Sequence, residues 1–343
     1  MDTAPDTATG TATAPAPDTA SDTPHGAAPE RRLVAVVGHE GAGTSTLVRA
    51  LGGPVTDCGV VLLEGRAALP LCDGVVFVLS SAQGLDPTLP LRWEEAADAG
   101  LPRLVCVTQL DLPRGDFDES VAVVQRVLGE GLHPVALPVL DDDERVVGVL
   151  RLLDLVLLVD GTERPAEAEH AALVEGLRDD LLEALLSGSD DDAAFEAWLA
   201  GHEPGPDALR RELRAAVRAG TLHPVVAVTA DGVGAADLLE LLVSAVPASG
   251  EVPPPPVHDV DGTVWAPVAD PAGPLVARAA GGLVRVLSGT LLPGPVLVDG
   301  APADAAPLGL DGAALARVPA GAVCRAALPD GLVSSPARPF SAE

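Results

Sequence analysis

Short, uninterrupted apolar runs alternate with amphipathic helical patterns along most of this chain. The first run, residues 33–37, stops at Gly38, which is typical of a strand buried on both faces of a parallel sheet. Further runs predict strands at 60–63, 75–79, 104–107 and 224–228, and helical patterns cover 46–51, 91–99, 117–128 and 235–246. Because parallel strands need crossover connections, this order predicts an α/β fold whose parallel sheet is covered on both faces.

An acidic stretch, residues 141–207, interrupts the alternation. It holds 19 acidic residues and 4 arginines, a net charge of −15. A helical pattern covers residues 166–186, and Asp207 is placed to cap a second helix over residues 208–219, which Gly220 ends. We interpret this stretch as an acidic insertion packed beside the sheet.

Both ends of the chain differ from the α/β pattern. Residues 1–30 repeat Ala, Thr, Asp and Pro with no large apolar residue after the first, which predicts a disordered tail. A proline-rich break at 251–256 predicts a domain boundary. Short apolar runs separated by Gly and Pro then predict strands of a small all-β barrel or sandwich at 275–277, 283–287, 296–298 and 323–327. The expected domains are therefore 31–250 and 251–343.

Charge and cysteine usage exclude several classes of function. All 21 basic residues are arginine, against 50 acidic residues, so the net charge is −29. Such a charge repels phosphate backbones and anionic lipid, which disfavours free DNA, free RNA and membranes as partners. The chain lacks a signal-peptide pattern and a run long enough to span a bilayer, so we expect a soluble cytoplasmic protein. The cysteines are scattered and predict neither a disulfide framework nor a zinc site: Cys58, Cys72, Cys106 and Cys324.

The loop after the first strand, residues 38–46, carries the strongest local signal. It matches the phosphate-binding pattern GxxxxGK[ST] at every fixed position except the lysine, where Thr44 stands. Backbone amides of such a loop can hold an anion, and Ser45 occupies the position of the magnesium-binding hydroxyl. The alternative is a glycine-rich turn that binds no ligand. The candidate phosphate-binding residues are Gly38, Gly41, Gly43, Thr44, Ser45 and Thr46.

Several segments in their order resemble elongation factor G and its relatives among the translational GTPases. Those that resemble the G domain are 38–47, 101–111 and 212–234, and those that resemble the following barrel domain are 281–294 and 318–323. The resemblance extends from Arg31 to Pro339, and the acidic insertion sits where this family carries its G-domain insert. It implies a site for GTP or GDP with Mg²⁺, a role in translation and a ribosomal partner.

The resemblance also implies which residues read the guanine base. By position they are Thr108, Gln109, Asp111, Thr229 and Ala230. Only the aspartate remains of the family's Asn-Lys-x-Asp, and Thr-Ala replaces Ser-Ala in the last loop. Asp111 is therefore either a weakened guanine contact or an ordinary turn aspartate after a strand.

Other parts of the family's machinery are missing from the sequence. Residues 52–59 leave no room for the first switch, and residues 64–68 stand at the family's Asp-x-x-Gly-His without a histidine. The chain stops after the predicted barrel, so we expect the three C-terminal domains to be absent and ribosome translocation with them. The four arginines of the predicted helix offer a phosphate or RNA contact, but we favour ordinary solvated ion pairs with the acidic insertion: Arg210, Arg211, Arg214 and Arg218.

These losses predict a degenerate GTPase with no catalytic residue. GTP hydrolysis in such folds rests on a lysine, magnesium and an oriented water, so GTP, GDP and Mg²⁺ are expected to bind weakly or not at all. The expected function is a pseudo-GTPase that acts by binding another macromolecule, an unidentified protein or a ribosomal partner. The alternatives are a slow GTPase whose missing groups come from a partner, and a paralogue with no selected role.

Overall fold

A computed structural model gives the structure of most of the chain. It describes residues 31–129, 131–189, 192–254, 256–259 and 261–341. The predicted disordered tail, residues 1–30, lies outside the described residues.

Strands and helices alternate over residues 32–134 and 206–245, as the sequence predicts, and five consecutive strands followed by three consecutive helices interrupt the alternation. The strands are β1 (Arg32–Gly38), β2 (Val60–Glu64), β3 (Gly74–Ser80), β4 (Arg103–Thr108), β5 (Leu132–Pro134), β6 (Ala136–Leu140), β7 (Val146–Arg151), β8 (Val156–Val159), β9 (Thr162–Pro165) and β10 (His223–Ala227). The helices are α1 (Thr44–Ala50), α2 (Leu89–Asp98), α3 (Phe117–Leu128), α4 (Ala168–Ser187), α5 (Asp192–Leu199), α6 (Pro206–Ala219) and α7 (Ala235–Ala245). A 3₁₀ turn covers Arg66–Leu71.

A parallel sheet forms the centre of this part, in the order β2-β1-β3-β4-β10-β5. Its central strands are buried along almost their whole length, because helices cover both faces. One face packs under α1, α4, α6 and α7, and the other packs under α2 and α3. The predicted α/β class is confirmed. The carboxyl ends of β1, β3, β4 and β10 meet at one edge, where ligands of such sheets bind.

The acidic segment contains a second sheet that the sequence pattern does not reveal. Strands β6 to β9 pair antiparallel in chain order, and this sheet begins at Ala136. Helix α4 lies in the same segment and buries Leu181, Leu182, Leu185 and Leu186 in the core shared with the central sheet. The strands are short and interrupted by acidic turns, so their alternation is too brief to distinguish from loop.

The predicted N-cap and start of α6 are wrong. The helix begins at Pro206 with Gly205 as its N-cap, and the Asp207 side chain caps nothing. Proline takes the first helical position because its missing N–H would have no partner there. Asp207 instead accepts a hydrogen bond from the Arg210 guanidinium at 3.0 Å. The predicted end is confirmed, since Gly220 adopts the left-handed conformation with φ of 71°.

Antiparallel strands make up the chain beyond residue 256. They are β11 (Val257–Asp259), β12 (Val264–Trp265), β13 (Val276–Ala280), β14 (Leu283–Ser288), β15 (Thr290–Leu291), β16 (Gly294–Val298), β17 (Ala301–Ala305), β18 (Val318–Pro319), β19 (Val323–Arg325), β20 (Gly331–Ser334) and β21 (Phe340–Ser341). The main sheet has the order β17-β16-β20-β13-β14-β19. Two backbone hydrogen bonds between Leu308 and Arg325 join the segment after β17 to β19, so the sheet curves back towards itself. The predicted small β domain is confirmed.

Candidate nucleotide-binding site

The loop between β1 and α1, which we call the glycine loop (residues 38–43), has the backbone shape that its glycines permit. Gly43 precedes α1 with φ of 88°, a left-handed conformation that favours glycine. A Cβ at Gly38 would lie 3.0 Å from the carbonyl oxygen of Val78 and 2.9 Å from the methyl carbon of Thr44. The loop therefore packs tightly against the end of β3, and the Thr44 side chain lies against the loop itself.

Two side chains at the end of β4 hold the glycine loop in place. The Thr108 hydroxyl donates to the carbonyl oxygen of Ala42 at 2.6 Å, and the Gln109 amide donates to that of Gly41 at 2.8 Å. The Ser80 hydroxyl in turn donates to the Gln109 side-chain oxygen at 2.5 Å. Gln109 has φ of 61°, an uncommon backbone conformation for a residue with a side chain, and these bonds stabilise it. We call this set of contacts the loop latch.

A cleft of about 190 Å³ lies between the glycine loop and the loops that follow β4 and β10. It brings the five candidate guanine-binding residues together with two of the six candidate phosphate-binding residues, Gly43 and Thr46, whereas Gly38, Gly41, Thr44 and Ser45 are not part of its wall. Its walls include Gly43, Thr46, Thr108, Gln109, Asp111, Thr229 and Ala230.

Two polar side chains of the cleft, Thr229 and Asp111, differ in whether they already have hydrogen-bond partners. Thr229 is buried and committed to its own loop, since its hydroxyl donates to Asp231 at 2.5 Å and accepts from the Val233 amide at 3.0 Å. The carboxylate of Asp111 is exposed and makes no hydrogen bond or ion pair within the described residues. Asp111 is therefore available to accept hydrogen bonds from a ligand in the cleft.

Ser45, the candidate magnesium ligand, points towards the end of β2. Its hydroxyl donates to the Glu64 carboxylate at 2.6 Å. A hydroxyl and a carboxylate are oxygen ligands of the kind Mg²⁺ prefers, and such sites usually draw further ligands from bound phosphates and water. No group of three or more metal-binding side chains occurs in the described part of the chain. The pair therefore fits Mg²⁺ only together with a bound phosphate.

The segment between α1 and β2, residues 52–59, is a tight hydrogen-bonded turn. The Thr56 amide donates to the Val60 carbonyl oxygen at 2.9 Å, and the Leu62 amide donates to that of Pro54 at 2.8 Å. The Thr56 hydroxyl is buried and bonds to both backbone groups of Val60 at 3.1 Å. With its one threonine turned inwards, the segment holds no hydroxyl that could reach the cleft.

Other residues that the sequence singles out lie away from the cleft. Cys72, Cys106 and Cys324 are buried and Cys58 is exposed, and all are free thiols. Burial raises the pKa of the Cys324 thiol to about 11, which keeps it protonated. None of the helices that the structure describes is both long and apolar enough to cross a membrane.

The arginines of α6 show the predicted pairing in part. Arg210 contacts Asp154 at 2.5 Å and Asp207 at 3.0 Å, and Arg218 contacts Glu251 at 2.8 Å. Arg210 therefore pairs with the acidic insertion as predicted, whereas the partner of Arg218 lies outside the insertion, in the segment that follows α7.

Three residues near the cleft were not among the predicted site residues. Glu64 binds Ser45, Ser80 completes the loop latch, and Gln83 donates to the Gly41 carbonyl oxygen at 3.4 Å. A sequence signal does exist for them, because each follows or ends a buried strand at the carboxyl edge of the sheet.

This chain is similar to known proteins both in sequence and in fold. No family model matches the chain. Over 247 residues the chain is 32% identical to a protein named elongation factor G-like protein in each of two strains of Mycobacterium tuberculosis. The match covers 67% of this chain and 34% of the relative, so the chain spans about a third of the curated relatives' length. A crystal structure of a protein from Thermus thermophilus aligns with a TM-score of 0.67 and 25% identity, covering 92% of this chain and 55% of that one.

The fold defines a class: a GTPase-like α/β domain followed by a small antiparallel β domain, as in translation factors. Within that class, the chain belongs to the elongation factor G-like family.

Proposed function

We propose that this chain is an elongation factor G-like pseudo-GTPase, which binds GTP weakly or not at all and acts in the cytoplasm by binding a macromolecular partner. The observation that carries the proposal is the charge of the cleft. Among the described residues that line it, Asp111 alone is charged, so no lysine or arginine is part of its wall. We favour the ribosome as this partner, because the resemblance to the elongation factor G family implies a ribosomal partner.

The missing cation has a large expected effect on affinity. The chain contains no lysine, and Thr44 stands at the lysine position of the loop. Removing one partner of a desolvated charge pair costs about 3–5 kcal/mol. At about 1.4 kcal/mol for each tenfold change, this corresponds to a loss of roughly a hundredfold to several thousandfold in triphosphate affinity.

The groups that would act in the hydrolysis of GTP are also missing. Phosphoryl transfer in this fold depends on a positioned water and on charge stabilisation around the γ-phosphate. Residues 65–68 contain no histidine, the Glu64 carboxylate already accepts from Ser45, and the Thr56 hydroxyl is buried in its turn. Hydrolysis is therefore expected to be slower than binding alone would predict.

A second candidate function is a slow GTPase that a partner activates. The loop latch favours it, because Thr108 and Gln109 hold the glycine loop in an ordered shape without a lysine or asparagine. The free carboxylate of Asp111 also keeps a guanine-binding group in the cleft. Under this function the missing cation would come from the partner, as an arginine supplied in trans does for other GTPases.

Titration with a fluorescent GTP analogue, with and without Mg²⁺, separates the two candidates. The pseudo-GTPase predicts weak or undetectable binding and the same result for wild type and Asp111→Ala. Micromolar or tighter binding that needs Mg²⁺ and falls in Asp111→Ala would favour the slow GTPase. Asp304→Ala, an exposed change in β17, is the matched control.

Co-sedimentation with purified ribosomes tests the proposed partner. We expect binding that is the same with GTP, with GDP and without nucleotide, and that Asp111→Ala leaves unchanged. Absence of co-sedimentation at low salt would contradict a ribosomal partner, and binding only with GTP would contradict the pseudo-GTPase.

A further inference from the structure

A cavity of about 570 Å³ lies between the α/β domain and the β domain, at the edge of the sheet opposite the nucleotide cleft. Its walls come from the segments that lead into β3 and β4, from the linker 247–254 and from strands β13 and β14. Leu69, Leu101, Val252 and Leu287 supply apolar surface. Ligand sites typically have volumes of about 300–1,000 Å³, are mostly apolar and occur at domain interfaces. We call this space the interdomain cavity.

Two arginines lie side by side on the wall that the β domain contributes. Arg278 of β13 and Arg285 of β14 are directly opposite each other in the antiparallel register, and both line the interdomain cavity. Side chains in such a pair have Cβ atoms about 4.5–5.5 Å apart, and like charges in this position destabilise a sheet. Negative charge nearby would offset this repulsion.

Of these two arginines, only Arg285 has an acidic partner among the described residues. The Arg285 guanidinium donates to the Asp73 carboxylate at 2.7 Å and to the Leu71 carbonyl oxygen at 2.8 Å. Arg278 is half-buried and has no hydrogen bond or ion pair with any residue that the structure describes. A third arginine on the wall, Arg218, is paired with Glu251 at 2.8 Å. The cavity thus presents one uncompensated guanidinium beside an apolar surface, in a chain of net charge −29.

We infer that the interdomain cavity is a binding site for a small amphipathic anion, an apolar body that carries one carboxylate, phosphate or sulfonate group. The anionic group binds Arg278, whose planar guanidinium fits two oxygens of such a group at once. The apolar body packs between the linker 247–254 and the segments that lead into β3 and β4. Binding relieves the repulsion between Arg278 and Arg285. The site is separate from the nucleotide cleft and does not depend on whether GTP binds.

The test uses 8-anilinonaphthalene-1-sulfonate, a fluorescent probe with this chemistry, on the full-length chain. We expect one saturable site in wild type, and binding about tenfold to a hundredfold weaker in Arg278→Gln, because a hydrogen bond to a charged group is lost. N-phenyl-1-naphthylamine has the same apolar body without the sulfonate. We expect it to bind more weakly than the sulfonate in wild type and equally in both proteins.

Arg325→Gln is the matched control, because Arg325 is an exposed arginine on β19 outside the cavity. We expect it to bind the probe like wild type. Melting curves of both variants establish that they remain folded, since Arg278 makes no contact that its loss would break. The inference is overturned if Arg278→Gln binds the sulfonate as wild type does, if Arg325→Gln weakens it equally, or if the neutral probe binds as well as the anionic one.

Discussion

Thr44 is the residue at which the glycine loop departs from the phosphate-binding sequence pattern. A lysine at this position would extend towards a phosphate, whereas the Thr44 methyl group lies against Gly38. The backbone around it is ordered by the loop latch and by the packing of Gly38 on β3. Relative to the sequence pattern of a phosphate-binding loop, Thr44 removes one positive charge.

Restoring that charge tests whether the loop keeps its binding shape. We expect Thr44→Lys to raise affinity for a fluorescent GTP analogue by about a hundredfold or more, because a desolvated charge pair is regained. The gain should favour guanine over adenine nucleotides, since Asp111 remains. Single-turnover hydrolysis should stay at background, because the water-orienting groups are still absent.

A neutral variant of similar length separates charge from size. Thr44→Gln should bind GTP no better than wild type. If Thr44→Lys also fails to improve binding, the glycine loop has lost its phosphate-binding shape and the resemblance is architectural only.

His223 makes the stability of the α/β domain depend on pH. It is buried at the start of β10 with its ring edge on Trp93. Burial lowers the pKa of His223 to about 4, and the positive charge of Arg103 acts in the same direction, as does His133. The unfolded chain binds this proton near pH 6.5, so protonation favours unfolding between about pH 6.5 and 4.

We therefore expect stability to be lost as the pH falls from 6.5 towards 4. The contribution of His223 is about 3 kcal/mol, at 1.36 kcal/mol for each unit of pKa difference. Urea unfolding across this range should show a steeper fall in wild type than in His223→Gln. His202→Gln, a change at an exposed histidine, should follow wild type. Parallel curves for wild type and His223→Gln would contradict the prediction.

At the scale of elements, the tight turn at residues 52–59 is held by hydrogen bonds of its own. Its hydrogen bonds run within the turn and to β2, so its shape does not depend on a ligand. The loop latch has the same property, because its partners are backbone carbonyl oxygens of the protein itself. Contacts within the protein thus hold these elements around the cleft.

GTP with Mg²⁺ should accordingly change the melting temperature little. A ligand stabilises the native state only in proportion to the logarithm of its concentration relative to Kd, so a weak ligand has almost no effect. We expect a shift close to zero in wild type at submillimolar GTP and a clear increase in Thr44→Lys. A rise of many degrees in wild type would show that the site is intact.

Element by element, the sequence predicts five of the six strands of the parallel sheet, missing the short edge strand β5, and it predicts the insertion poorly. Uninterrupted apolar runs such as β1 and β3 are typical of buried strands, and Phe117–Leu128 has the predicted helix boundaries. The antiparallel sheet that begins at Ala136 was missed because its strands are short and its turns acidic. The pairing of Ser45 with Glu64 could not be predicted either, because it depends on the approach of two loops distant in sequence.

At the scale of the whole molecule, one buried carboxylate joins the two domains. Asp73 accepts from the Arg285 guanidinium at 2.7 Å, from the Ser249 hydroxyl at 2.6 Å and from the Leu33 amide at 2.8 Å. Its partners therefore come from the β domain, the linker and β1. Asp73 is 6% exposed, so these bonds are protected from water.

Asp73→Asn tests whether this contact makes the molecule unfold as one unit. The change keeps the side chain's shape but leaves Arg285 without its negative partner, which should cost about 3 kcal/mol because a buried pair is broken. We expect calorimetry to show two transitions, with the β domain melting apart from the α/β domain. Asp304→Asn, an exposed change on β17, should melt like wild type. If Asp73→Asn keeps a single transition at the wild-type temperature, apolar packing between the domains is what couples them, and the carboxylate contributes only to local structure.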